Sequence, residues 1–458
     1  MINLFFNNAL LADGWAKNVK IEVDARGVIS KVTADTDPQG GAGDGAIAIP
    51  GLSNLHSHAF QRAMAGLGER MGRERLGSAD DDFWSWRETM YKFVQKIGPV
   101  DLEAIAAELY VEMLESGFTS VGEFHYLHHQ PDGAPYDDPA EMSVRLIAAA
   151  QEAGIGLTLL PVLYAQGDFT GAPLNDRQAR FYHSADEFAR LIERCRTLAA
   201  LTPGMIVGVA PHSLRAVPPE FLPLAIAAAH GGPIHIHIAE QQREVDACIE
   251  NYGARPVEWL FNHCDVDHQW CLVHATHMTQ GETKRLAHSG AVAGICPITE
   301  ANLGDGIFDG TDYLSEAGRW GVGSDSHIRI DAAEELRSFE YSQRLRDMKR
   351  VRLAAPGASN GRCLFNQAAA GGAHALGRKS GGLAAGMDCD IVSLDADHPL
   401  LIGKTGDEWL DGWIFAGDKN CIADVWVRGK HVVMEGRHMS RDAARRAFGL
   451  VMKRFAGA

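Results

Sequence analysis

The rhythm of apolar and polar positions changes twice along the chain. Over residues 1–50 short apolar runs alternate with polar positions, at Leu4-Phe5-Phe6, Lys20-Ile21-Glu22-Val23 and Val28-Ile29-Ser30-Lys31-Val32, the last after a turn at Arg26-Gly27. A glycine-rich turn, Gly40-Gly41-Ala42-Gly43, precedes Ala46-Ile47-Ala48-Ile49. Two-residue alternation predicts strands, too few to bury a core alone. From Gly51 to about Ala375 short apolar runs at 52–56, 120–124, 157–162, 206–210, 234–238, 270–273, 291–295 and 320–322 alternate with helical patterns such as 102–116 and 184–200. Strands separated by amphipathic helices predict a parallel (β/α)8 barrel.

After residue 375 the strand texture returns, with 389–394, 422–427 and a hairpin through Gly429-Lys430 into 431–434. A basic amphipathic helix over 440–456 follows, with Ser440 placed to cap it. The expected fold class is therefore α/β: a TIM-like barrel over 51–375, flanked by a small β-sandwich assembled from 1–50 and 376–458.

Composition narrows the function. Of 458 residues, 46% are hydrophobic and 22% charged, the balance of a globular protein with a sizeable core. Lys and Arg number 43 against 59 Asp and Glu, a formal charge of −16 that disfavours nucleic acid and anionic lipid as partners. No apolar run approaches the roughly 20 residues of a membrane span. The first residues lack a basic segment and cleavage site, and the 8 cysteines form no C-x-x-C pair, so a reducing cytoplasm is expected.

The candidate chemistry sits at strand ends. In Gly51-Leu-Ser-Asn-Leu-His56-Ser57-His58 the two histidines are two positions apart, so a strand projects both to one face, where two imidazoles can hold one metal ion. Ile234-His235-Ile236-His237-Ile238-Ala239-Glu240 repeats the pattern. His237 lies nearer the C-terminal rim, where barrel active sites form, and His235 one layer deeper, the place of a satisfied core histidine. His274 and His277 end the sixth region and Asp325 the last, so a carboxylate joins imidazoles in a mixed N/O site suited to zinc or iron(II).

The order H-x-H, H-x-x-E, His, S-D resembles the amidohydrolase superfamily in its mononuclear deaminase branch, over essentially the whole chain. The resemblance implies one divalent ion, zinc or alternatively Fe2+, on His56, His58, His237 and Asp325, with Glu240, His274 and Asp325 moving protons, and it implies a homodimer. No lysine occurs between Lys96 and Lys284, so strands two to six cannot supply the carboxylated lysine that bridges two ions in dinuclear members.

Further stretches narrow the branch: Ala59-Phe60-Gln61-Arg62, Phe83-Trp84-Ser85-Trp86-Arg87-Glu88 in the first long loop, Glu123-Phe124-His125-Tyr126, and Ala210-Pro211-His212-Ser213-Leu214-Arg215. They are similar to members that hydrolyse N-formimidoyl-L-glutamate to N-formyl-L-glutamate and ammonia in histidine degradation. A dicarboxylate amidine suits guanidinium forks, which bind carboxylates bidentately. Arg87 and Arg215 are the candidate clamps, with Gln61, Tyr126 and His212 adding hydrogen bonds. Trp84 and Trp86 fit loop packing as well as substrate contact. Two other readings stay open: a deaminase or chlorohydrolase of a nucleobase, thio-adenosine or triazine, and a non-catalytic barrel scaffold.

Overall fold

The computed structural model describes residues 2–36, 43–69 and 83–457. Most of the glycine-rich turn at 40–43 lies outside them. Four strands open the chain: β1 (Ile2–Leu11), β2 (Gly14–Val23), β3 (Ile29–Thr33) and β4 (Gly45–Pro50). Nine more follow: β5 (Leu52–Ser57), β6 (Phe118–His125), β7 (Gly156–Leu163), β8 (Ile206–Val207), β9 (Ala210–Pro211), β10 (Ile234–Ile238), β11 (Trp270–His274), β12 (Val292–Ile295) and β13 (Arg319–Val322). The last four are β14 (Ile391–Leu394), β15 (Ile422–Val427), β16 (Lys430–Met434) and β17 (Arg437–His438).

The two chain ends meet. They form one eight-stranded sheet in the order β17-β16-β15-β14-β4-β1-β2-β3, joined where β14 runs antiparallel to β4 with Ile391 opposite Pro50. Alternation along these strands gives the sheet two apolar faces. Leu4, Phe6, Ile21, Ile391 and Trp426 pack into a small core of their own, Phe6 meeting Trp426 edge-on at 5.4 Å. Ile47, Ile49, Leu394 and Val425 belong instead to the large core shared with the rest of the chain.

The middle strands adopt a TIM-barrel-type arrangement of parallel strands in two arcs, β5-β6-β7-β8 (with β9 also on β7) and β10-β11-β12-β13. The arcs meet at two seams through isolated bridges rather than continuous ladders: Ser57 with Asp325 at one, Val209 with Ile234 and Ser213 with His237 at the other. At the first seam Asn54 and Ser324 exchange two hydrogen bonds, at 2.5 and 3.0 Å. The run expected as one strand over 206–210 is broken into β8 and β9 at Gly208, where a side chain would strike the Pro233 carbonyl.

Helices cover the arcs. Asn360–Ala375 lies directly on β13 because Gly371 has no Cβ: one added there would sit 1.8 Å from the Trp320 carbonyl oxygen. The closing helix Arg441–Ala456 docks on Pro99–Glu115 through Arg441, which is 2.6 Å from Glu108 and also pairs with Glu115. Ser440 does not cap it with its side chain. The stretch around Arg87 is not a loop: Phe83–Val94 is helical, with Met90, Tyr91 and Val94 buried on one face. Nothing is described for the Trp84 side chain, whereas Trp86 packs against the main core. Among the described residues no helix is long and apolar enough to cross a membrane.

Candidate active site

The C-terminal ends of β5, β10, β11 and β13 converge. His56, His237, His274 and Asp325 each bring one ligating atom within 4.8 Å of the others, and all four are buried. His58 joins them: its Nε2 lies 3.1 Å from His56 Nε2 and 3.3 Å from Asp325 Oδ1. His237 Nε2 is 3.0 Å from His56 Nε2, which is 3.4 Å from Asp325 Oδ1. A tetrahedral zinc ion with bonds of about 2.0 Å has edges of about 3.3 Å, so the donor set fits such an ion.

The backbone aims the rings. His58 Nδ1 faces the Phe124 carbonyl at 2.9 Å, and His237 Nδ1 the His212 carbonyl at 3.0 Å. Donation from each Nδ1–H to its carbonyl leaves the Nε2 lone pair for a metal, the orienting contact such ligands ordinarily have. Burial pushes the His56 imidazole down to about 3 and His237 well below its ordinary value, which keeps both neutral. Burial alone would raise the Asp325 carboxyl, but His56 and His58 outweigh it and hold it well below the usual range. His56 and His237 are therefore neutral beside an anionic Asp325, the protonation state that binds metal. His274 and Asp325 sit at positive φ, 66° and 46°, a conformation costly for non-glycine residues and concentrated at functional sites.

His274 stands at the edge of this cluster with carboxylates on both sides. Its Nδ1 is 3.1 Å from Glu300 Oε1, and its Nε2 is 3.7 Å from Glu240 Oε1 and 4.0 Å from Asp325 Oδ2. Burial lowers its basicity, but Glu240, Glu300 and Asp325 more than offset that and raise it well above the ordinary histidine range. Burial lifts Glu240 to about 7, a value suited to passing a proton near neutrality.

Above the cluster opens a pocket that reaches from His58, His237 and Asp325 at its floor to Arg87 and Arg215. Gln61, Arg87, Tyr126, His212 and Arg215 all line it, as does Glu240. Gln61 donates to the Tyr126 hydroxyl at 2.8 Å, while its Oε1 has no hydrogen-bond partner among the described residues. Burial and the neighbouring Arg215 and Arg87 hold His212 far below its ordinary value, hence neutral.

His235 and His277 fall outside the cluster. His235 Nε2 lies 2.8 Å from the Ala375 carbonyl, deeper between the strands, and His277 Nε2 lies 2.7 Å from the Asp305 carbonyl. Sequence patterning misses three contributors. Glu300, five residues past β12, fixes His274. Glu123, on β6, takes the Ser57 hydroxyl at 2.6 Å and the Ala59 amide at 2.7 Å, bracing the turn that carries His58. Tyr164, directly after β7, lines the cavity. Glu123 and Tyr164 share one signal, a polar residue at or just past a strand's C-terminal end, whereas Glu300 lies in the short helix Pro297–Leu303.

The amidohydrolase family model matches residues 47–432. This chain is a member of that family. Residues 1–45 match the N-terminal domain of the formimidoylglutamate deiminase HutF. The amidohydrolase is 48% identical over 454 residues to formimidoylglutamate deiminase of Pseudomonas aeruginosa, covering 99% of each chain. It superposes on a crystal structure of an amidohydrolase from Brucella melitensis with a TM-score of 0.94, 50% identity and 99% coverage of both chains. A 5-methylthioadenosine/S-adenosylhomocysteine deaminase of Natronomonas pharaonis is 28% identical over 78% of this chain and 75% of its own. An atrazine chlorohydrolase from Arthrobacter aurescens, at 21% identity and a TM-score of 0.82, shares the fold.

Proposed function

We propose that this amidohydrolase is a formimidoylglutamate deiminase, converting N-formimidoyl-L-glutamate and water into N-formyl-L-glutamate and ammonia in histidine degradation. The observation that carries the reading is one cavity holding both the His/Asp cluster and two guanidiniums, Arg87 and Arg215. The Pseudomonas aeruginosa relative, similar over its full length, supports it.

In this reading His56, His58, His237 and Asp325 hold one divalent ion, zinc in preference to iron(II). When bound, such an ion acidifies water enough for attack as hydroxide near neutral pH. Asp325 accepts the water's proton as oxygen adds to the amidine carbon, while His274, held protonated by its carboxylate neighbours, donates a hydrogen bond to the adding oxygen. Glu240 passes a proton to the departing nitrogen, which leaves as ammonia while the carbon keeps its bond to the glutamate nitrogen. Arg87 and Arg215 bind the two carboxylates, and Gln61, Tyr126 and His212 orient the formimidoyl group.

The proposal extends to the assembly: 1–50 and 376–458 act as one β-rich unit beside the barrel of 51–375, and the enzyme works as a cytoplasmic homodimer. Eight cysteines without a disulfide are consistent with a reducing compartment.

Ammonia release from N-formimidoyl-L-glutamate by zinc-loaded protein, beside adenosine, guanine and triazine substrates, tests the reading. Release confined to the formimidoyl diacid is expected. Release only from a ring amine would replace it with the nucleobase or triazine reading.

A further inference from the structure

The two guanidiniums reach the cavity from different elements, Arg87 from the helix Phe83–Val94 and Arg215 from the turn after β9, yet they meet at one atom. The Tyr164 hydroxyl oxygen lies 3.0 Å from Arg87 Nη2 and 3.5 Å from Arg215 Nη1. Gln178 Nε2 donates to the same oxygen at 2.9 Å and reaches the Tyr91 hydroxyl at 3.2 Å. The Tyr164 ring is 2% exposed and meets the His212 ring at 4.6 Å, so the oxygen has little room to move.

A phenol oxygen surrounded by three nitrogen donors is an acceptor, not a bystander. Burial pushes the Tyr164 hydroxyl up, but Arg87 and Arg215 overcome this and bring it down to about 8. Two cations facing one cavity repel, and an oxygen shared between them offsets part of that repulsion. Each fork carries five N–H donors in a plane, so a shared oxygen takes up only part of each and fixes its orientation.

We propose that Tyr164 is a positioning residue that sets substrate specificity: its oxygen yokes Arg87 and Arg215 into a fixed pair matched to a ligand with two carboxylates. The inference rests on the deiminase reading. A diacid presents a carboxylate to each fork, whereas a ligand with one carboxylate engages only one of them, a difference in charge-assisted hydrogen bonds that gives discrimination.

The test measures binding of glutarate and of butyrate to the zinc-loaded enzyme by calorimetry, together with ammonia release from N-formimidoyl-L-glutamate. Tyr164→Phe removes only the oxygen. It should weaken glutarate binding about tenfold and leave butyrate binding unchanged, while KM for the diacid rises about tenfold and kcat stays within about threefold. In an Arg87→Met/Arg215→Met background Tyr164→Phe should add no further loss. Arg87→Lys, which keeps the charge but loses the planar fork, is the second variant should Tyr164→Phe not fold, and it should lose the same glutarate preference. An unchanged glutarate preference in these variants, or an equal fall in kcat on all substrates, overturns the role of Tyr164 alone. A wild-type enzyme with neither diacid preference nor turnover of the diacid overturns the deiminase reading and this inference together.

Discussion

Glu300 holds His274 from behind: the carboxylate lies 3.1 Å from Nδ1 and takes the Cys296 amide at 2.8 Å on the same oxygen. With Nδ1 engaged, only Nε2 faces Glu240 and Asp325. Glu300→Gln should lower kcat about 100-fold with little change in KM, the scale of a misplaced acid–base group. In a His274→Asn background the same substitution should cost nothing more. Multiplying losses in steady-state kinetics would show that Glu300 acts on something other than His274.

Asp325→Asn removes the anionic member of the cluster. Turnover should fall by about 1000-fold or more. Activity close to wild type in a metal-replete sample would sink the assigned proton path.

Arg215→Met deletes a charge-assisted partner for a carboxylate. KM for the formimidoyl diacid should rise about 10- to 100-fold, with kcat less affected. Unaltered kinetics would remove Arg215 from the clamp.

Metal analysis of the purified enzyme should return about one divalent ion per chain, and chelation should abolish turnover until zinc is restored. Two ions per chain would contradict a single tetrahedral site.

Gly371→Ala tests the packing of Asn360–Ala375 on β13. With the Trp320 carbonyl 1.8 Å from the added Cβ, the helix must shift, and chemical denaturation should show a loss of about 1–3 kcal/mol. Unchanged stability would mean that the helix rides more loosely than its contacts indicate.

The cluster was legible because its members sit on strands whose two-residue alternation states which face a side chain takes. His56 and His58 share a face by that rule, and the rim position separates His237 from His235. Tyr164 follows its strand, where no period says which way a side chain turns, and Glu300 sits in the short helix Pro297–Leu303, too brief for its period to stand out, so only folding reveals their partners. The single end sheet was hidden for a related reason. It depends on Ile391 pairing with Pro50 across most of the chain, and local alternation reads the same in one sheet or two. The helix Phe83–Val94 does carry a helical period in Trp86, Met90 and Val94, obscured by the aromatic residues at its start.

The seams give the cluster a second meaning. His56 and His58 belong to one arc of strands, His237 and Asp325 to the other, so an ion held by all four would clasp two half-rings that isolated bridges and side-chain bonds such as Asn54–Ser324 join there. Occupancy then governs more than chemistry. Emptying the clasp should let the half-rings breathe against each other, with amide exchange quickening first at Ser57, Val209 and Asp325, so that ion loss is felt as mechanical slack along the whole axis.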